Sequence, residues 1–433
     1  MNRKEFLRMS AGLAGGVAGL PLMRKLAGAA TAEPIEILLT RAAAAGEDAF
    51  YWKLIRDQFI LDPGWIFLNF GGLGSCPLPV LNALLEFTKV EESAPSAGHD
   101  EKPWQEVKTK LARALGKTCR KEDLGLIGGA TEGVNVIVNG QPLKKGDEVI
   151  TSTHEHVAVH SALLNRMQKD GIAIRLFEPD LARAMGNVDR IARLITPRTR
   201  LIIISHVTCT TGQLFPAKEI AALAHGKNIW FALDGAQAPV CSPFDIVETS
   251  VDFYTCSTHK WMMGPKRTGF IYVRQGMVDT LRPQTVGGGS SERYDAAKGE
   301  FVLKSTAERF ESGTQNDALF YSLGTALDFV ETIGVDRIAG RCRPLAERFY
   351  DGLGEIPGVE RLSPEEEAYR TLMIGFRMKT HTHTEIMSHL AKDRIKARPV
   401  SEGGLNSIRV SFYLNNRDED VTAILDSLKK LAA

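Results

Sequence analysis

Residues Asp252 to Arg274 read DFYTCSTHKWMMGPKRTGFIYVR, and the rest of the chain takes its meaning from this stretch. Val251 to Cys256 is a short apolar run ending in small polar residues, as a buried strand does. Ser257, Thr258, His259 and Lys260 stand where that strand leaves its sheet. Gly264-Pro265 marks a turn, and Gly269 to Val273 is a second apolar strand. A lysine held between two buried strands loses hydration, which lowers its pKa. An amine so lowered can form a Schiff base with an aldehyde. A lone lysine more often lays its stem on apolar surface and keeps its amine in water, so the surrounding residues have to decide.

Working outward, Ile229 to Leu233 is an apolar strand that ends in Asp234-Gly235-Ala236-Gln237-Ala238. A carboxylate at a buried strand end is costly unless a cation pairs with it. The protonated pyridine nitrogen of pyridoxal phosphate (PLP), the aldehyde proteins most often hold on lysine, is such a cation. An Asx turn is the alternative use of Asp234. Further strands are read at Leu201 to Ser205, Ile172 to Leu176, Asp147 to Ser152 and Leu124 to Gly128. Gly129-Ala130-Thr131-Glu132-Gly133 opens a helix to about Val138. Its small residues leave backbone N–H groups free for a phosphate, with the Thr131 hydroxyl in reach, although a plain helix cap reads the same way. His154 and His156 have a spacing open to zinc, but no partner pattern supports it; an imidazole at a strand end can instead stack on an aromatic ligand. Strands alternate with helices from Leu124 to Arg274, and polar residues gather past the strand ends. That is an open, mostly parallel sheet with its ligand beyond the carboxyl edge.

Before this region, Glu33 to Gln58 reads as helix. Trp65 to Gly72 is a short strand entering a glycine turn, where Asn69 either shapes the turn or meets a substrate. Helices follow near Val80 and over Trp104 to Leu115. After it come a glycine-rich linker (Gly287 to Gly289), Arg309-Phe310-Glu311-Ser312-Gly313-Thr314, and a helix from Asp317 to Ile333. A smaller α+β unit closes the chain: helix Val335 to Gly354, strand Thr371 to Arg377, helix His383 to Lys392, strand Ser407 to Phe412 and a last helix. Arg409 in the alternating strand is either solvated or a clamp for a carboxylate. The resulting division is 1–32, 33–75, a large domain over 76–325 and a small C-terminal domain over 326–433.

The 433 residues are 44% hydrophobic and 24% charged, with net charge +1. That length holds two cores, and so small a charge gives no basic field for nucleic acid. No apolar run reaches membrane-spanning length, so neither nucleic acid nor membrane is expected as a partner. Cys76, Cys119, Cys209, Cys241, Cys256 and Cys342 form no CxxC pair; free thiols are expected, with no metal and no disulfide frame. Asn2-Arg3-Lys4-Glu5-Phe6-Leu7-Arg8 leads into a Gly/Ala-rich stretch from Met9 to Met23, and Ala30-Thr31-Ala32 offers a cleavage site. This is similar to a twin-arginine export signal with Lys in the second basic position. If the signal is used, the protein is periplasmic and starts near Glu33; otherwise it is cytoplasmic.

Together these motifs resemble the class V aminotransferase family of fold-type I PLP enzymes, which includes cysteine desulfurases, kynureninases and isopenicillin N epimerase-like proteins. The likeness runs over nearly all of the chain after residue 50. It implies an α/β fold with a mixed, mostly parallel seven-stranded sheet and a smaller C-terminal α+β domain. It implies PLP as cofactor, with Lys260 of SxHK as the catalytic Schiff-base lysine. Ala130, Thr131, Ser257 and His259 fall on the phosphate-holding positions. Asp234 falls on the pyridinium partner, Gln237 on the contact to the ring hydroxyl and His156 of EHVA on the ring-stacking residue. Arg409 of IRVSFYLNN falls on the substrate-carboxylate arginine. Gly313 and Thr314 match RFExGT, whose threonine reaches the neighbouring subunit's phosphate, so a homodimer with shared active sites is implied.

The implied substrate is a small-molecule amino acid or amine, with racemisation, transamination or elimination as outcomes. Residues 394–406, RIKARPVSEGGLN, carry no cysteine where desulfurases have their nucleophile. Cys209 replaces the asparagine of the desulfurase motif SHVSN, which is closer to the epimerase-like branch. The family also has exported members in siderophore (pyoverdine) maturation, acting on a peptide-borne glutamate side chain, an alternative that the N-terminus motivates. A non-catalytic protein on this fold would not need Lys260, Asp234 and Arg409 together. A dinucleotide-binding oxidoreductase would need a GxGxxG after its first strand, which is absent.

Overall fold

The computed structural model describes residues 35–44, 46, 48–95 and 101–433; the export-signal reading over 1–32 lies outside them. Two short helices come first, α1 (Ile35–Ala44) and α2 (Asp48–Arg56). The pattern over Glu33 to Gln58 predicts one helix, but Gly46 sits between the two at φ +70°, a left-handed turn that ends a helix. Strand β1 (Ile66–Phe67) and helices α3 (Leu78–Ser93) and α4 (Glu101–Leu115) follow. Strands and helices then alternate as the sequence predicts as far as β6: β2 (Leu124–Ile127), α5 (Ala130–Gly140), β3 (Glu148–Ser152), α6 (Val157–Asp170), β4 (Ala173–Phe177), α7 (Gly186–Leu194), β5 (Thr199–Ser205), α8 (Ala217–His225) and β6 (Trp230–Asp234). The alternation predicted through Arg274 stops there, because β7 (Phe253–Ser257) and β8 (Gly269–Val273) follow with turns and no helix between them.

These strands form one seven-stranded sheet, ordered β2-β8-β7-β6-β5-β3-β4, in which β8 alone runs against the others. Every residue of β2, β7 and β8 is buried. Covered on both faces, such strands read as apolar runs rather than alternating ones. Parallel pairing sends the carboxyl ends of β3, β5, β6 and β7 to one edge of the sheet, where a ligand of such a sheet belongs.

The linker region holds an element that the sequence pattern does not reveal. A hairpin, β9 (Ser291–Asp295) and β10 (Glu300–Leu303), lies there. Its side chains are mostly exposed, so it lacks the alternation that marks a half-buried strand. Helix α9 (Asp317–Ile333) packs along α3 and α4 and buries Leu327, Phe329, Val330 and Ile333 in the core that also covers the large sheet. It thus carries residues 326–333, which the sequence pattern groups with the C-terminal unit.

A second core begins with α10 (Val335–Gly354) and continues through β11 (Val359–Arg361), β12 (Met373–Met378), α11 (His383–Lys392), β13 (Ile395–Lys396), β14 (Arg398–Val400), β15 (Ser407–Ser411) and α12 (Asp418–Ala432). Four of these strands form a sheet ordered β11-β12-β15-β14. The other, β13, pairs with β1, which brings Ile66 and Leu68 into this core. Residue 69 therefore leaves the second core at the point where β15 ends, through a bridge between Asn69 and Ser411. Among the described residues no single helix is long and apolar enough to cross a membrane.

Candidate active site

Lys260 sits in a tight loop between β7 and β8. The loop closes where Thr258 N donates to Thr268 O at 3.0 Å and Gly264 N donates to Thr258 O at 2.9 Å. The three residues after the lysine, Trp261, Met262 and Met263, are buried and anchor it. The glycine turn after β1 is pinned to the same loop: Gly74 N donates to His259 O at 3.1 Å, and Lys266 Nζ donates to Gly74 O at 2.8 Å. Lys260 is half-buried and lines a cavity of about 160 Å³. Burial pushes its pKa down; Asp234 opposes that shift and Arg409 adds to it.

Asp234 ends β6 on the same cavity and is 5% exposed. Its Oδ1 accepts from Ala236 N at 2.9 Å, so the Asx-type turn is real, yet it occupies only one oxygen. Among the described residues Asp234 makes no ion pair. Gln237 is held at both ends of its amide: Nε2 donates to Gly71 O at 2.7 Å, and Trp261 Nε1 donates to Oε1 at 2.8 Å. One amide hydrogen remains for the cavity that Gln237 lines. His156 caps α6, its Nδ1 accepting from Ala158 N at 3.2 Å. An accepting Nδ1 requires the neutral ring, and burial followed by the Lys260 charge lowers its pKa in the same direction.

The turn from β2 into α5 faces this group. Gly129 stands at φ +139°, ψ 177°, a conformation open to glycine and strained for other residues. It starts α5 with no side-chain cap. Ala130 N donates to Ser257 Oγ at 2.8 Å, and Thr131, second in the helix, lies on the cavity wall. His259 Nδ1 is buried without a partner, and burial, with Lys260 and Lys266 adding, pushes the ring pKa down to about 4. A buried polar atom lacking a partner needs a ligand to account for it. Beside a helix N-terminus and a serine hydroxyl, a phosphate monoester satisfies it. These donors, Asp234 and the lysine amine fit PLP.

Arg409 of β15 is 1% exposed, which settles against its solvated alternative. Nη1 donates to Cys209 O at 2.9 Å and Nη2 to Asn69 Oδ1 at 2.7 Å, while Nε has no partner. It makes no ion pair among the described residues. Burial, reinforced by Arg398, pushes its pKa down to about 9. A guanidinium this dry and unpaired is what a carboxylate ligand would relieve.

The cavity thus gathers Ala130, Thr131, His156, Asp234, Gln237, Ser257, His259 and Lys260, with Asn69 and Arg409 joined to it through Cys209. Gly313 and Thr314 are exposed and take no part in that lining. The two histidines weighed as a zinc pair separate: His154 turns Nδ1 to Thr210 Oγ1 at 3.3 Å while His156 faces the cavity. Ser205 and Glu155 escape the sequence reading. Ser205 pairs in register with Asp234 across two strands, and only the sheet order makes them neighbours.

A mostly parallel seven-stranded sheet, with a lysine loop facing a strand-end aspartate at its carboxyl edge, is the arrangement of fold-type I PLP enzymes. Residues 75–424 match the aminotransferase class-V family, and the chain belongs to this family of PLP-dependent enzymes. Over 400 residues it is 28% identical to isopenicillin N epimerase of Amycolatopsis lactamdurans, covering 88% of this chain and 98% of that one. It is 26% identical over 401 residues to a probable cysteine desulfurase of Methanothermobacter thermautotrophicus, covering 88% and 96%. Among solved structures, C-DES with glycine linked covalently to its PLP cofactor superposes with TM-score 0.77 at 24% identity, over 86% of this chain and 98% of that one. The Escherichia coli cysteine desulfurase CsdA also gives 0.77, at 22% identity over 88% and 99%. The two structural likenesses carry the fold, which is the fold expected.

Proposed function

We propose that Lys260 holds PLP in this cavity and that the enzyme works at the Cα of a small amino acid or amine, with an epimerase-like outcome ahead of sulfur removal. One observation carries this reading. Lys260 and Asp234 open on the same cavity, and neither is in an ion pair among the described residues. PLP bound there supplies an electron sink for the pair left behind when a substrate Cα–H bond breaks. The start of α5, Ser257 and His259 would hold its phosphate, Asp234 its pyridine N–H and Gln237 its ring hydroxyl. Arg409, oriented by Asn69, pairs with the substrate carboxylate and fixes Cα. Lys260 Nζ, its basicity lowered by burial, takes the Cα proton and can return it.

The thiols support this order of readings. Residues 394–406 contain no cysteine. Cys209 lines the cavity, but burial pushes its pKa up to about 11, and a protonated thiol is a poor nucleophile. A homodimer belongs to the same proposal. Glu311 is clamped by Trp104 Nε1 at 2.9 Å and Leu126 N at 2.8 Å, yet the Gly313-Thr314 tip that follows is exposed, as a contact to a second copy needs.

The test is covalent trapping. Protein loaded with PLP, reduced with borohydride and digested should carry the cofactor mass on the Lys260 peptide. Lys260→Ala should carry none. The mass on another lysine, or on no peptide, rejects the assignment. Sedimentation of the loaded protein before digestion at twice the chain mass supports the dimer, and a monomer removes that part.

A further inference from the structure

Behind the cavity wall lies a carboxyl group with no part in the chemistry above. Glu155 is 1% exposed and makes no ion pair among the described residues. Its Oε1 takes a hydrogen bond from Ser152 Oγ at 2.5 Å, and its Oε2 lies 2.6 Å from Ser205 Oγ. Ser152 Oγ accepts from His154 N at 3.2 Å and gives its own hydrogen to Glu155. Ser205 is different. It lines the cavity beside Asp234, its partner in the parallel register of β5 and β6, and paired residues of parallel strands project to the same face.

We propose, on the reading that Asp234 holds the pyridine nitrogen of PLP, that Glu155 is a positioning residue that sets the charge balance of Asp234 through the Ser205 hydroxyl. The hydrogen-bond inventory allows two states. When Glu155 is ionised, Ser205 donates to Oε2 and turns a lone pair toward Asp234. When Glu155 carries a proton on Oε2, with Ser152 still donating to Oε1, that proton donates to Ser205 Oγ. The Ser205 hydrogen is then released toward the Asp234 carboxylate. Glu155 exchanges its proton with solvent; Ser205 keeps its own, and its hydroxyl turns toward or away from the cavity that Asp234 lines.

The surroundings leave this switch open near neutral pH. Burial pushes the Glu155 carboxyl up to about 7, against the two serines, and Asp234 adds to the rise. The other titratable groups around it are the Cys209 thiol from the loop after β5, His160 of α6, whose Nε2 meets Ser152 O at 2.8 Å, and His154 and His156 on its own turn. Cys209 stays protonated through this range, and the rings of His154 and His156 have pKa values lowered by burial. A cation held against Asp234 favours both carboxylates, so the loaded protein should titrate lower than the apoprotein.

Two titrations decide it. In the apoprotein, infrared difference spectra should show a protonated carboxyl that ionises near pH 7 and is missing from Glu155→Gln. In the PLP-loaded protein, the cofactor absorbance should shift with pH in the wild type. Glu155→Gln, whose amide permanently donates to Ser205, should keep at high pH the spectrum that the wild type shows at low pH. Ser205→Ala should keep the infrared titration and lose its echo in the cofactor band. A carboxyl that ionises in the ordinary range, or a cofactor band that titrates alike in wild type and Glu155→Gln, overturns the proposal. Failure of the wild type to take up PLP would strike the functional reading instead, and the infrared arm would still judge Glu155.

Discussion

Strand β3 has a buried glutamate at each end, and the two are held in opposite ways. Glu148 opens the strand and receives Arg175 Nη2 at 2.9 Å, Arg198 Nη2 at 2.7 Å and Thr196 Oγ1 at 2.5 Å. Burial alone would raise its pKa, but these partners win and take it down to about 2. Glu155, three residues past the other end, has only two serines, and burial wins there. The aspartates repeat the contrast. Asp252, just before β7, is served by Arg274, His225 and Phe231 N; Asp234, at the end of β6, has one backbone donor. At the amino edge of the sheet every buried carboxylate named here has its cations. At the carboxyl edge Asp234, Glu155 and Arg409 do without counter-ions among the described residues. Desolvated charge that the fold neutralises is structure; desolvated charge left open marks the place of a ligand.

Asp234→Asn tests the open edge most severely. The amide keeps the size and the Asx turn but cannot hold a pyridinium by charge. Turnover should fall by about 10²–10³-fold, the range for removing one preorganised electrostatic contact. Stability of the apoprotein should not fall with it, because there the charge removed is buried and unpaired. Steady-state rates on the loaded protein and a urea titration on the apoprotein check the two halves. Loss of stability with little loss of rate would place Asp234 with Asp252, among the structural charges.

How much of this contrast was legible beforehand depends on distance along the chain. The lysine loop, its two strands and the DGAQA turn are local patterns, and Gly269–Val273 and Asp317–Ile333 appear where the sequence places them. The Gly46 break lay inside an otherwise helical pattern, and the β9–β10 hairpin had no apolar face to betray it. Glu155 could not be read as a site at all. It matters through Ser205, 50 residues away, and through a strand order that places β5 between β3 and β6. The Asn69–Arg409 hydrogen bond spans 340 residues, so no spacing rule predicts it. Gly313 and Thr314 were legible as a motif, and this chain's cavity leaves them outside.

Glu148→Gln tests the closed edge and should do the reverse. Rates should hold, and stability should drop by about 1–3 kcal/mol, the loss of charge-assisted hydrogen bonds to one buried group. The upper end is discounted because Arg175 and Arg198 are 42% and 63% exposed and recover water. The pH dependence has a definite sign. The folded pKa is depressed below its ordinary 4.5 to about 2, so the contribution is complete above 4.5 and is lost as pH falls toward 2. Denaturation midpoints of wild type and variant should therefore converge in acid. A gap that stays constant to low pH would mean that Glu148 acts through packing rather than charge.

Cys209→Ala should do least, and that makes it the sharpest check on what the carboxyl edge requires. The residue sits among the open charges, lines the cavity and lends its backbone carbonyl to Arg409. If position alone conferred function, its side chain would matter as much as that of Asp234. Yet burial holds the thiol protonated, with a pKa near 11, and alanine keeps the carbonyl. Turnover should change by less than tenfold, under about 1.4 kcal/mol in barrier. Iodoacetamide at neutral pH should leave Cys209 of the folded protein unlabelled, since the thiolate is the reactive form. A larger loss in the alanine variant, joined to rapid labelling in the wild type, would make Cys209 a nucleophile. The edge would then be defined by its chemistry at sulfur, and the preference for an epimerase-like outcome would reverse.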